Sequence, residues 1–103
     1  MNKETKSPET TSAVVQPPGD LVGPSLPALR AQLRELVESG ITQVTVDLER
    51  AQMVDSAGIG LLISAHNSLK KAGGALTVIH ASKDILDLFR TMRIHQHFSV
   101  SGS

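Results

Sequence analysis

The chain has 103 residues, which is the size of one small domain. Ten Lys and Arg residues balance ten Asp and Glu residues, and aromatic residues make up only 2% of the chain. This composition lacks the basic surface and the stacking rings that nucleic-acid binding needs, so we expect a protein partner and no nucleic acid. The absence of cysteine excludes disulfides and thiolate zinc sites. No apolar run approaches the ~20 residues of a membrane span, and no apolar leader is present, so we expect a cytoplasmic protein without a membrane span.

The N-terminal part of the chain has the least regular sequence. Residues 1–12 contain no apolar residue after the initiator, so we expect a disordered tail that precedes one domain over residues 13–103. Residues 13–15 favour the start of a strand. Pro17 and Pro18 remove two backbone donors, which predicts that this strand lies at a sheet edge or outside the sheet.

From Ser25 onward, helical and extended patterns alternate. Ser25 is expected to cap a helix that ends at Gly40 in a left-handed conformation. The apolar stripe of this helix consists of Leu26, Leu29, Leu33, Leu36 and Val37. A β-branched strand follows over residues 41–48, with Asp47 near its exit, and residues 49–52 turn the chain.

The second half of the chain repeats the alternation. A helix is predicted from about Ser56 to Gly73, a strand over residues 75–80, and a last helix that Ser82 caps. Phe98 is expected to fold back onto the core. The inward-facing residues of the two helices are Ile59, Leu62, Ile63, His66, Leu69, Ile85, Leu88, Phe89 and Met92. Alternating strands and helices with short connections predict a small α/β domain with parallel strands and right-handed crossovers.

The candidate site is the segment Asp55-Ser56-Ala57-Gly58, where an apolar strand ends and the second helix begins. A serine at this position can accept a hydrogen bond from an N–H two or three residues on, and a phosphate on its hydroxyl would meet the positive end of the helix dipole. The segment matches neither a dinucleotide fingerprint, a nucleophile elbow nor a P-loop. We therefore expect Ser56 to be a target of chemistry, in a protein that is not an enzyme. From these residues alone, ordinary helix capping remains the simpler interpretation.

Histidines and acidic residues elsewhere are candidates for a metal or catalytic site. No carboxylate or cysteine lies at the usual ligand spacing from a histidine, so we expect no metal site and no cofactor. The histidines are His66, His80, His95 and His97. Asp47 and Asp55 are expected at the same end of the sheet, where they could perform acid–base chemistry or bind Mg²⁺. Because no partner for either role is readable nearby, we expect these carboxylates to order loops and to shape a recognition surface.

Three stretches of the chain carry a family resemblance. They are Val44–Leu48, Met53–Leu62 and Ala72–Leu76. Together they resemble the STAS domain of bacterial anti-sigma factor antagonists, and the resemblance extends from about Gly19 to Val100. It implies one α/β domain with a mixed, mostly parallel sheet flanked by helices. Family members open with a two-strand hairpin and an acidic turn, to which only Gly19–Val22 corresponds, so we expect a shortened hairpin.

The resemblance also implies a function. Ser56 corresponds to the serine that is phosphorylated by an anti-sigma factor with a serine-kinase fold and reset by a PP2C-type phosphatase. The unphosphorylated form binds the anti-sigma factor and frees the sigma factor. The residues expected to meet this partner are Asp20, Asp47, Asp55, Ser56, Ala57, Gly58 and Ile59. Two alternatives are an interaction module, which serves as a transporter accessory subunit or signalling scaffold, and an enzyme with Asp47 and Asp55 as catalytic carboxylates.

Overall fold

A computed structural model describes residues 11–102, which form a single parallel sheet and three α-helices in alternation. The elements are β1 (Ser12–Val15), α1 (Leu26–Glu38), β2 (Gln43–Asp47), α2 (Ser56–Lys71), β3 (Ala75–Ala81), α3 (Lys83–Thr91) and β4 (Ser99–Gly102). The strand order is β1-β2-β3-β4, and neighbouring strands pair in parallel. The predicted α/β class is confirmed. Within the described range, no helix is both long and apolar enough to cross a bilayer.

The helices cover one face of the sheet. Val15, Val46 and Val78 are in register across three strands, and each is at most 2% exposed. Val14 points to the opposite face and is 55% exposed. Right-handed crossovers between sequential parallel strands place the connecting helices on the same side of the sheet. One face of the sheet is therefore buried while the face with Val14 is exposed. The sheet and the helices therefore form two layers with the core between them.

The N-terminal region differs from the prediction at two points. Residues 1–10 of the predicted tail lie outside the described residues. Thr11 and Ser12 belong to the folded domain, because the Thr11 carbonyl accepts hydrogen bonds from the backbone N–H groups of Thr42 and Gln43 at 2.9 and 3.0 Å, and Ser12 begins β1. In the described part of the chain, the expected shortened hairpin is replaced by this single parallel strand. β1 lies at the sheet edge, as the two prolines after it predict.

Apart from the start of α2, helix ends follow local rules in three of the four predicted cases. Gly40 and Gly73 have φ of 93° and 85°, which confirms the predicted left-handed ends of α1 and α2. Ser82 caps α3, and its hydroxyl accepts a hydrogen bond from the Ile85 N–H at 3.2 Å. The predicted cap of α1 is wrong, because the Ser25 hydroxyl makes no bond to the first turn of that helix.

Candidate functional site

Asp55, and not Ser56, provides the side-chain cap of α2. The Asp55 Oδ1 atom accepts a hydrogen bond from the Gly58 N–H at 2.8 Å, and its Oδ2 atom accepts one from the Gly23 N–H at 3.1 Å. The predicted capping role of Ser56 is wrong because Ser56 is already the first residue of the helix, while Asp55 has the extended backbone of an N-cap. The backbone donors of Gly58 and then Gly23 lower the pKa of the Asp55 carboxyl group. The cap is therefore an ionised carboxylate with both oxygens engaged.

This capping arrangement leaves the Ser56 side chain free at the surface. Ser56 and the following Ala57 are exposed. Among residues 11–102 the Ser56 hydroxyl takes no part in the side-chain cap of α2, which Asp55 supplies. A modifying enzyme can therefore reach the hydroxyl while the turn stays folded. A phosphate there would lie at the N-terminus of a 16-residue helix, whose dipole stabilises a nearby negative charge by ~0.3–1 kcal/mol.

The segment before α1 holds the Ser56 turn in place. Leu21 forms a parallel bridge with Val54, in which the Leu21 N–H donates to the Met53 carbonyl at 3.0 Å and the Asp55 N–H donates to the Leu21 carbonyl at 3.1 Å. The Asp20 Oδ1 atom accepts hydrogen bonds from two successive backbone N–H groups of the β2–α2 loop, at 2.7 and 3.2 Å. Asp20, which was predicted to meet the partner, thus orders the loop that carries the serine.

Ser25 closes the other end of this segment. Its hydroxyl lies 2.7 Å from the Asp20 carbonyl and 2.8 Å from the Val22 carbonyl, and the Val22 N–H lies 3.2 Å from the same oxygen. These contacts fold residues 20–25 into a compact turn. Ser25 therefore stabilises the segment from which Asp20 binds the β2–α2 loop, and it does not cap α1.

Two of the predicted partner contacts are buried. Ile59 is 4% exposed and belongs to the hydrophobic core. Gly58 packs beneath the Leu21 backbone, since a Cβ atom at Gly58 would lie 2.5 Å from the Leu21 carbonyl oxygen. Both residues are buried in the first turns of α2, and their contact with a partner stays a prediction. Their packing against Leu21 and the hydrophobic core fixes the position of the first turn of α2.

Asp47 orders the start of the same loop. Its Oδ1 atom accepts a hydrogen bond from the Glu49 N–H at 2.9 Å and lies 2.9 Å from the His80 Nδ1 atom. Its Oδ2 atom accepts a hydrogen bond from the Gln16 amide at 3.2 Å. The Glu49 N–H, with a smaller contribution from His80, lowers the pKa of Asp47 against the opposing effect of burial. Asp47 and Asp55 thus order the two ends of the β2–α2 loop, as predicted.

Three surface residues near Ser56 were missed by the sequence reasoning. Met53 is 58% exposed, just before the turn. Arg30 and Arg34 line a cavity of about 390 Å³ between the N-terminal parts of α1 and α2, which Ala57 also lines. Met53 lies in the apolar segment before Ser56 and the arginines lie outside the apolar stripe of α1, so no sequence motif marks them as contact residues. Exposed Met and Arg side chains are enriched at protein interfaces, so this surface suits a protein partner.

Comparison with known proteins places this geometry in a family. A family model described as "Mlab, STAS domain" matches residues 6–100. The chain belongs to the STAS domain family. This STAS domain is 31% identical over 78 residues to the anti-sigma-B factor antagonist of Bacillus subtilis (strain 168), and the match covers 76% of this chain and 71% of that protein. The predicted family resemblance is confirmed.

Solved structures of similar proteins have the same fold. The unphosphorylated anti-sigma factor antagonist SpoIIAA has a TM-score of 0.68 and 19% identity, with 84% of this chain and 80% of that chain covered. Phosphorylated SpoIIAA from Bacillus has a TM-score of 0.71 and 17% identity, with 94% and 88% covered. A Thermotoga maritima protein proposed to be an anti-sigma factor antagonist has a TM-score of 0.83 and 11% identity, with 90% of this chain and 80% of that chain covered. These structures show the shared fold, and the name of the 31% identical Bacillus subtilis relative, an anti-sigma-B factor antagonist, agrees with the prediction that this STAS domain is not an enzyme.

Proposed function

We propose that this STAS domain is an anti-sigma factor antagonist that binds a serine-kinase-type anti-sigma factor and is switched off by phosphorylation of Ser56. The observation that carries the proposal is the exposed hydroxyl of Ser56, which takes no part in the side-chain cap of the turn that Asp20 and Asp55 hold rigid. The Bacillus subtilis relative bears the name of an antagonist, and SpoIIAA has been solved in a phosphorylated form, which supports the same role here. A PP2C-type phosphatase would restore the serine. The proposed location is the cytoplasm, where bacterial transcription takes place.

The proposed contact surface consists of exposed residues around Ser56. Ala57 and Met53 supply apolar area on either side of the serine, and Arg30 and Arg34 border the adjoining cavity. The predicted contact residues Asp20, Asp47 and Asp55 act mainly from within, because their carboxylates accept hydrogen bonds from the loop backbone. A partner would thus meet a preformed surface and lose little affinity to ordering it.

Phosphorylation would change the charge of this surface without breaking the turn. A phosphate adds about −1.5 to −2 charges at neutral pH, and the N-terminus of α2 tolerates an anion. The Asp55 carboxylate keeps its two backbone donors, because neither of them comes from the serine side chain. At an interface, however, the added charge must be desolvated beside that carboxylate. Each ~1.4 kcal/mol of this penalty weakens binding tenfold.

The modification can be tested with the anti-sigma factor of the source organism. The STAS domain is incubated with that protein and ATP, and the sites of phosphorylation are read by mass spectrometry. Wild type is expected to carry one phosphate at Ser56, and Ser56→Ala is expected to carry none. Ser68→Ala changes another exposed serine of the same helix and should be modified like wild type. A partner that binds without modifying any serine would favour the transporter-subunit or scaffold function instead.

A further inference from the structure

We propose that Asp47, Glu49 and His80 form a binding site for a divalent transition-metal ion. One potential ligand atom from each residue lies within 4.8 Å of the other two, a grouping found among residues 11–102. The group is not readable along the sequence, because Asp47 ends β2 and Glu49 lies in the loop after it, while His80 belongs to β3, 33 positions after Asp47. The sequence spacing that argued against a metal site does not report this contact, because the fold brings both carboxylates beside His80.

The distances between the three side chains suit a common ion. The His80 Nδ1 atom lies 2.9 Å from Asp47 Oδ1 and 3.9 Å from Glu49 Oε1. Two ligands at ~2.1 Å from one ion are about 3.0 Å apart at a right angle and about 3.4 Å apart at the tetrahedral angle. The first pair already meets this condition. The second pair meets it after a shift of under about 1 Å, which the 67% exposed Glu49 side chain is free to make.

Two of the three ligands are held in position by the fold. Asp47 is fixed by the Glu49 N–H on one oxygen and by the Gln16 amide on the other. His80 has a left-handed backbone with φ of 58°, at an irregularity in the pairing of β3 with β4. A strand irregularity of this kind redirects a side chain, and here the His80 ring faces the end of β2. The imidazole and the carboxylate thus converge before any ion binds.

The donor set defines the class of ion. One imidazole nitrogen and two carboxylate oxygens suit Zn²⁺, Mn²⁺ or Co²⁺, whereas Mg²⁺ and Ca²⁺ prefer oxygen ligands alone. The ion would bind the lone pair of His80 Nδ1, with the single ring proton of the neutral imidazole carried on Nε2, and its charge would compensate the two carboxylates. Water would complete the coordination. Because Glu49 begins the loop that leads to Ser56, a bound ion would tie the start of that loop to β3, whether or not Ser56 is phosphorylated.

Isothermal titration of ZnCl₂ into the full chain without a histidine tag tests the site. Wild type is expected to bind one equivalent of Zn²⁺. His80→Asn removes the imidazole but retains a residue that tolerates a left-handed backbone, and Glu49→Gln removes an exposed ligand. Each variant is expected to bind at least tenfold more weakly. His95→Asn is the matched control, since it removes an exposed histidine outside the cluster and should bind like wild type.

A second measurement keeps the test valid if a variant folds poorly. Circular dichroism reports folding, and the melting temperature of wild type should rise with added ZnCl₂ while that of Glu49→Gln rises much less. The proposal is overturned if wild type shows no saturable binding, or if Glu49→Gln and His80→Asn bind like wild type. It is also overturned if His95→Asn loses as much affinity as they do, or if MgCl₂ binds as tightly as ZnCl₂.

Discussion

Two glycines near the start of α2 provide a matched test of how the Ser56 turn is held. A Cβ atom at Gly58 would lie 2.5 Å from the Leu21 carbonyl oxygen and 3.0 Å from a Val54 methyl group. The carbonyl cannot retreat without cost, because it accepts the Asp55 N–H. Overpacking usually destabilises a protein by ~1–3 kcal/mol, and a clash with backbone lies at the upper end of this range. The higher helix propensity of alanine offsets ~1 kcal/mol of this loss. Gly58→Ala should therefore lower the free energy of unfolding by about 2 kcal/mol.

Gly60→Ala is the control for this substitution. Gly60 is exposed, and a Cβ atom added there would have no atom within 4 Å other than those of its chain neighbours and of its own helix backbone, so alanine should only improve helix propensity, by ~0.5–1 kcal/mol. The two variants should differ by about 3 kcal/mol, which corresponds to roughly 12–24 °C in melting temperature for a domain of this size. Thermal and urea unfolding followed by circular dichroism measure the difference. Equal stabilities would refute the argument that the close approach of Leu21 holds the turn.

Three further predictions concern charge and exposure. Asp55→Asn should lower the melting temperature at neutral pH. Because folding lowers the Asp55 pKa, the difference in melting temperature between the variant and wild type should shrink as the pH falls below ~4. A difference in melting temperature that does not change with pH would contradict this prediction. The His66 Nδ1 atom accepts a hydrogen bond from the Leu76 N–H, and burial, followed by the charge of Lys70, lowers the His66 pKa. The free energy of unfolding should therefore fall as the pH drops below ~6.5. In His66→Gln, the free energy of unfolding measured with urea should decline less over the same pH range. Identical pH profiles of unfolding for variant and wild type would refute this role of His66. Met53→Ser should leave unfolding within ~0.5 kcal/mol of wild type yet weaken anti-sigma factor binding in calorimetry, and unchanged affinity would exclude Met53 from the interface.

The sequence predicts the parts of the fold that short-range rules determine. The apolar stripe of α1 requires only helical spacing, and the left-handed ends at Gly40 and Gly73 require only glycine after a helix. The cap of α2 is different, because Asp55 and Ser56 are both good capping residues. The choice between them depends on the bridge from Leu21 to Val54, which fixes where the chain leaves the sheet. That contact is not local, so the sequence pattern misses it.

The candidate site was predictable to the same extent. The exposed position of Ser56 follows from its place at a strand-to-helix junction, which the sequence shows. The burial of Ile59 does not conflict with the helical pattern, since the same pattern places it on the core side. The group around His80 depends on which strands are neighbours and on an irregularity in β3, and no spacing rule along the chain reports either.

Ser56→Ala provides the reference for the central claim. The Ser56 hydroxyl caps nothing, so the variant should unfold within ~0.5 kcal/mol of wild type. Its surface stays neutral at this position, and it should bind the anti-sigma factor like unphosphorylated wild type. This variant therefore separates loss of the phosphate acceptor from loss of the fold.

Calorimetric titration of the anti-sigma factor against unphosphorylated chain, Ser56→Ala and chain phosphorylated at Ser56 is the most direct test. The phosphorylated chain is expected to bind at least tenfold more weakly, which is a penalty of ~1.4 kcal/mol or more, while its melting temperature stays close to that of wild type. Binding of the phosphorylated chain as tight as that of Ser56→Ala would contradict the switch.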